Sequence, residues 1–307
     1  MACGYQLNGE LMAWSVRLAS VHRKGAWRMT RAGINGDTAT AEEMRHYLST
    51  FEVSDVYRSE RDEYLVAHLC RLQPTLALLP PGRPDSTLLE LGAAPYLMTL
   101  LLKRYTHYRV FATGYDAERS VAETAVHLSN PEYGVEYTFD RANFNVEQDH
   151  YPYPDAFFDL VLCCELLEHL TLDPTHMLVE IHRVLKPGGQ VLITTPNVLV
   201  LRNVMALLRK RQNIYGPYSG YGVYGRHNRE WTLAEVVQLV SGCGYQIEIA
   251  QVHDTYPHRG YSAWLKKLFP HLRDALFVLA RAEGEPIYYY PEDLYAARHA
   301  MRSVGIG

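Results

Sequence analysis

Short apolar runs alternate with stretches of helical periodicity between residues 85 and 282, and that alternation leaves few architectures open. Residues 87–91, 108–115 and 158–164 are compact apolar runs of strand length. Residues 96–104, 117–128 and 174–184 carry apolar side chains at helical spacing. Further strands are read at 136–139, 142–145, 190–194, 245–251 and 276–281, with one more helix at 233–241. Strands joined by crossover helices build an α/β fold whose parallel sheet is covered on both faces. Ligands of such sheets bind beyond the carboxyl ends of the strands, so the residues just after each strand are the ones to inspect.

The flanking segments read differently. Residues 1–38 form an N-terminal extension of unassigned role, with a short amphipathic helix at 11–21 and a break at 33–37. Residues 39–84 form a helical cap, because Met44, Tyr47, Leu48 and Phe51, then Tyr64, Leu65, Leu69 and Leu72, recur at helical spacing. The main domain spans 85–282 with an insert at 201–230, and a tail with a short helix near 292–302 occupies 283–307. With 48% apolar residues the chain can fill a core, and its net charge of −4 provides no broad positive field for nucleic acid. Five cysteines in no CxxC spacing read as free thiols in a reducing compartment. No apolar stretch is long enough to span a membrane and no leader pattern opens the chain, so the expected location is the cytoplasm. A homo-oligomer is compatible with all of this.

The strand ends carry chemistry. The first strand runs into Glu90-Leu91-Gly92-Ala93-Ala94-Pro95-Tyr96, a turn where glycine admits a close ligand and a carboxylate can accept hydrogen bonds. Twenty-four residues past Gly92, Asp116 stands where an acid can bind both hydroxyls of a ribose, although it also reads as a helix cap. Asn145 offers an amide to an adenine edge. After Phe158-Asp159-Leu160-Val161-Leu162-Cys163-Cys164 come Glu165-Leu166-Leu167-Glu168-His169 and then Arg183-Val184-Leu185-Lys186-Pro187-Gly188-Gly189.

This ordered series resembles the class I S-adenosylmethionine-dependent methyltransferases over roughly residues 87–282. The resemblance implies a Rossmann-like, mostly parallel sheet of seven strands and S-adenosylmethionine as cofactor. It places Glu90, Gly92 and Ala94 at the methionine end, Asp116 at the ribose, Asn145 at the adenine and Cys164 beneath the methyl donor. Ala94 and Tyr96 stand where the family has glycines. Their side chains narrow the cofactor turn, which keeps a non-catalytic scaffold as a reading of a different class.

On a helical turn Glu165, Glu168 and His169 share one face, and two carboxylates with an imidazole suit Mg²⁺ or Mn²⁺. Together with His227 in His227-Asn228-Arg229-Glu230-Trp231-Thr232 they resemble the metal site of small-RNA 2′-O-methyltransferases. The Glu-His portion also resembles ubiquinone-pathway O-methyltransferases. The resemblance therefore implies Glu165, Glu168, His169 and His227 as metal ligands; without metal, His169 or His227 is the general base.

The insert places Tyr215, Tyr218, Tyr221 and Tyr224 between glycines and prolines, a loop whose rings suit a sugar, a phenol or a base, or simply pack on the sheet. Arg209, Lys210 and Arg211 can meet a phosphate or diphosphate, as in a nucleotide sugar or a lipid-linked saccharide, or form a solvated helix end. The insert looks like those of bacterial glycan and secondary-metabolite methyltransferases. The function expected is O-methylation of a saccharide or other polar small molecule, with RNA 2′-O-methylation and phenol methylation as alternatives.

Overall fold

The computed structural model describes residues 40–295 apart from 55, 81, 117–122, 210–221, 257, 259 and 292–293. The helix read at 11–21 lies outside them, as do Tyr215, Tyr218, Tyr221, Lys210 and Arg211. So does the helix read near 292–302, save Leu294 and Tyr295, which are non-helical. None of the described helices is long and apolar enough to cross a membrane.

The cap contains α1 (Ala41–Ser49), β1 (Glu52–Val53) and α2 (Arg58–Ala77). Thr40 and Glu43 cap the start of α1 reciprocally, and the helix buries Met44, Tyr47 and Leu48. The sheet is then built from β2 (Thr87–Leu91), β3 (Arg109–Gly114), β4 (Glu123–Asn130), β5 (Val135–Asn143), β6 (Phe158–Cys164), β7 (Leu185–Pro196), β8 (Tyr245–His253) and β9 (Ala275–Ala282). Its order is β1-β4-β5-β3-β2-β6-β7-β9-β8. The five strands from β5 to β7 are parallel, while β9 and β8 close one side antiparallel. Every residue of β2 is buried, as expected of a central strand covered on both faces. Helices α3 (Leu97–Tyr105), α4 (Pro174–Val184), α5 (Leu201–Leu208), α6 (Leu233–Gly242) and α7 (Gly260–Leu268) accompany it. β2 is flanked by β3 on one side and β6 on the other, so the chain's winding reverses there. That switch point opens a crevice above the carboxyl ends.

Three readings are corrected. Among the described residues the sheet has nine strands: the expected seven, β5-β3-β2-β6-β7-β9-β8, extended by β4 and β1. The helix expected over 117–128 is, in its described part, strand β4, which pairs antiparallel with β5 along its whole length. Val126, Leu128 and Asn130 are buried at alternate positions, and Pro131 to Gly134 make the turn of a hairpin, with Gly134 in the left-handed region. The strands read separately at 136–139 and 142–145 are the single strand β5.

The tail is fastened to the core. Tyr290 and Tyr295 are buried, and their hydroxyls donate to Asp173, which also caps α4 through the Thr175 N–H. These tail tyrosines therefore serve packing.

Candidate active site

The turn after β2 shows how the chain accommodates its missing glycines. Gly92 takes φ +65°, which glycine reaches without strain, and a side chain there would press on Leu166. Tyr96 adopts the same left-handed conformation at φ +65°. Its ring is fully buried and meets Phe139 of β5 edge-on at 5.9 Å, so it fills the core and leaves the crevice clear. Ala94, unlike Tyr96, lines the small cavity here, together with Glu90, Gly92 and Cys164. The left-handed backbone costs about 1–2 kcal/mol, less than the roughly 3–5 kcal/mol that losing a buried aromatic ring costs. Tyr96→Gly is therefore expected to destabilise the protein by about 2–4 kcal/mol in urea unfolding.

Glu90 is buried and accepts a 2.5 Å hydrogen bond from Thr99 of α3. Burial pushes its carboxyl up to about 8. Cys164, also held up by burial at about 12, stays a thiol.

Asn143 clamps the ends of β3 and β5. Its Oδ1 accepts the Asp116 N–H at 2.8 Å and its Nδ2 donates to the Asp116 carbonyl at 3.3 Å, fixing the acid at the crevice edge. Asn145 is buried, with Nδ2 donating to the Tyr224 hydroxyl at 2.9 Å. The Tyr224 ring meets Tyr115 edge-on at 5.4 Å. Tyr224 thus stands beside Asn145 and Tyr115, at the end where the resemblance puts the nucleoside.

Beyond β6 the chain turns sharply. Glu165 has φ +52°, and a 3₁₀ turn at Leu167–His169 replaces the expected α-helical turn. Glu168, His169 and His227 converge so that one ligand atom from each lies within 4.8 Å of the others. Glu168 is 1% exposed. Its Oε2 accepts from Thr195 at 2.9 Å, while Oε1 has no hydrogen-bond partner among the described residues. Burial, then the Glu165 charge, raises its pKa well above the usual range.

The Nδ1 of His169 is 2.9 Å from the Arg226 carbonyl, and that of His227 is 3.2 Å from Glu230 Oε1. With Nδ1–H donating in each case, both Nε2 atoms keep a lone pair, the arrangement that orients imidazoles toward a metal. Burial lowers the His169 pKa and keeps the ring neutral. Glu165 stands apart from this trio: its Oε2 is 2.5 Å from Arg71 Nη1 and its Oε1 accepts from Thr194 at 3.0 Å.

Arg71 was not singled out from the sequence, although a signal exists. Tyr64, His68, Arg71 and Thr75 recur at helical spacing along α2, beside the leucine stripe of Leu65, Leu69, Leu72 and Leu76. All four line the strand-end cavities, and Arg71 lines both of them. The larger, of about 350 Å³, is bounded by Tyr64, His68, Glu168, His169, His227, Arg202 and Tyr256. Burial pushes His68 down to about 4, so it meets this cavity as a neutral ring.

A family model described as "Methyltransferase domain" matches residues 57–248. A protein of Mycolicibacterium smegmatis named "Probable S-adenosylmethionine-dependent methyltransferase" is 32% identical over 97 residues, 32% of this chain and 32% of its own length. A ubiquinone biosynthesis O-methyltransferase of Pseudomonas paraeruginosa is 50% identical over 40 residues, 13% of this chain and 17% of the relative. The chain thus spans about a third or less of these curated relatives. Among solved structures, a methyltransferase of Haloferax volcanii in complex with the Trm112 methyltransferase activator aligns over 79% of this chain and 98% of its own, with 17% identity and a TM-score of 0.48.

Proposed function

The chain belongs to the methyltransferase-domain family, and on that premise we propose that it is an S-adenosylmethionine-dependent methyltransferase that methylates a hydroxyl oxygen of a saccharide or similar polar acceptor with the aid of a divalent cation. One observation carries the cation: a buried carboxylate oxygen, Glu168 Oε1, lacks a hydrogen-bond partner among the described residues and lies beside the imidazoles of His169 and His227. Such an oxygen ordinarily costs about 1–3 kcal/mol, more for a charged group, and is kept where a ligand satisfies it. Two imidazoles with one carboxylate favour Mn²⁺ over Mg²⁺, since nitrogen ligands suit the softer ion. Bound there, the cation would lower the pKa of the acceptor hydroxyl and hold its oxygen in line with the methyl group.

The chain's own residues supply the rest. Arg71 stands over the β2 turn and gives the cofactor's carboxylate a cation. Asp116 receives the ribose hydroxyls, and Asn145 with Tyr224 forms the adenine wall. Glu230 and the Arg226 carbonyl fix the two imidazole tautomers. His68 lines the acceptor cavity as a neutral ring and, with its basicity lowered by burial, serves to shape it. The smaller cavity, about 40 Å³, holds little more than a water, so cofactor entry requires the Arg71 side chain to move.

The test uses S-adenosylmethionine labelled in its methyl group and glycan fractions from cells. Label is expected in an ether-linked saccharide product, falling by about 10²-fold or more with EDTA and returning with Mn²⁺. Transfer that survives EDTA would sink the metal reading, and label on carbon or nitrogen would sink the hydroxyl.

A further inference from the structure

The 350 Å³ cavity carries a positive charge that its own acids leave unanswered. Among the described residues three carboxylates line it, Glu165, Glu168 and Asp274, and each has its charge met elsewhere. Glu165 pairs with Arg71 at 2.5 Å. Asp274 Oδ1 lies 2.5 Å from the buried Lys266 ammonium, and its Oδ2 accepts the N–H groups of Thr255 and Tyr256 at 3.2 Å each. Glu168, whose pKa burial raises, is neutral while metal-free and is balanced by the cation once one binds.

Arg202 has no such answer. It lines the same cavity, and among the described residues its guanidinium makes no hydrogen bond and no ion pair. It is the second residue of α5, a helix whose start has no side-chain cap, so the positive end of the helix adds to its charge. Burial raises the Tyr256 phenol while the Arg71 and Arg202 charges act to lower it, which sets Arg202 and Tyr256 on one rim. A second donor comes from α2. Tyr64 Oη accepts from Arg71 Nη2 at 2.6 Å, and its own proton has no acceptor among the described residues. The Tyr64 ring lies against His68, centroids 4.2 Å apart, and gives the cavity a flat wall beside these donors.

A lining with one unpaired guanidinium, a phenolic O–H to give and no unanswered acid selects an anion over a neutral molecule. Arginine's planar fork matches a carboxylate or a phosphate, two donors to two oxygens. The volume stands at the small end of ligand pockets and suits one sugar-sized molecule. Arg202 and the Glu168, His169 and His227 trio bound this one cavity, so a single small molecule reaches both.

We propose that the acceptor is an anionic small molecule, a sugar acid or a sugar phosphate, whose carboxylate or phosphate is held by Arg202 while its hydroxyl is turned toward Glu168, His169 and His227. Tyr64 donates to a further oxygen of the same molecule. This names the class of acceptor and rests on the hydroxyl-methylation reading above.

Ligand-observed NMR on the full chain saturated with S-adenosylhomocysteine tests the charge preference, with D-glucose, D-glucuronate and D-glucose 6-phosphate as probes. The better bound of the two acids is expected to bind about tenfold or more tighter than glucose, and which one it is tells carboxylate from phosphate. Arg202→Met is expected to remove that preference and Arg202→Lys to keep most of it, both with the thermal shift by S-adenosylhomocysteine unchanged. Equal binding of the three sugars, binding of neither acid, or a preference that Arg202→Met leaves intact would each overturn the proposal. The labelled-transfer experiment tells this failure from that of the acceptor reading. An O-methyl product that passes an anion-exchange resin at neutral pH refutes the anionic acceptor and spares the hydroxyl, whereas label on carbon or nitrogen refutes the hydroxyl.

Discussion

Arg71→Met is expected to weaken S-adenosylhomocysteine binding by about 10–100-fold in calorimetric titration, the effect of removing a charge-assisted hydrogen bond to a carboxylate. The same change strips Glu165 of its partner. The ion pair is largely buried, with side chains 12% and 11% exposed, so unfolding stability should fall by about 3 kcal/mol. Adding Glu165→Gln to Arg71→Met removes the stranded charge and is expected to restore stability without restoring affinity. This cycle separates two roles. Were affinity to recover with the double substitution, Arg71 would be only the counter-ion of Glu165, and its assignment to the cofactor would be withdrawn.

Glu168→Gln should act in opposite directions on function and stability. Mn²⁺ binding, followed by calorimetry, is expected to weaken by at least about 100-fold, because the substitution replaces the one carboxylate of the trio. The metal-free protein should become no less stable, and more stable as pH rises. The sign follows from the native carboxyl, whose pKa is raised above its unfolded value by burial. Its folded form is favoured while protonated, and that stability is lost as pH climbs above the ordinary carboxylate range toward the raised value. Glutamine keeps the neutral shape throughout, so its advantage in melting temperature should be larger at alkaline than at acid pH. An unchanged Mn²⁺ affinity would exclude Glu168 as a ligand.

Much of the sheet could be read from periodicity because its central strands are buried on both faces. The run at 158–164 and the helix at 174–184 lie where their patterns put them, the latter announced by Asp173 and Pro174 at its start. Residues 123–130 were harder. Val121, Ala125 and Leu128 satisfy a helical period while Val126 and Leu128 satisfy an alternating one, and pairing with β5 decides between them. Pro131 to Gly134 carry the turn chemistry of a hairpin, which the reading of a crossover helix passes over. Helices α5 and α7 hide for another reason: α5 buries no residue fully and α7 buries only Lys266, so neither marks an apolar buried face.

The strand-end acids were legible from their position alone. The pairing of Arg71 with Glu165 was not, since nothing in sequence spacing says that a helix of the cap lies across the end of β6. Tyr96 likewise read as an obstruction, because only the backbone geometry shows its ring leaving the crevice for the core.

The two residues of β1 have an influence out of proportion to their number. They pair with Leu128 and Ser129 of β4, and Asn130 ties the same corner to Tyr47 and Thr50. The segment that carries Arg71 is thereby stitched to the far margin of the sheet, and the margin is shielded by the segment. A shortened chain beginning after residue 84 would give up half of the cofactor crevice and would also uncover the outer side of β4. An uncovered strand margin offers unpaired N–H and C=O groups to any extended chain nearby, which is the usual route to aggregation. Catalytic competence and colloidal behaviour are thus coupled through one short strand, and the cap cannot be trimmed to improve either.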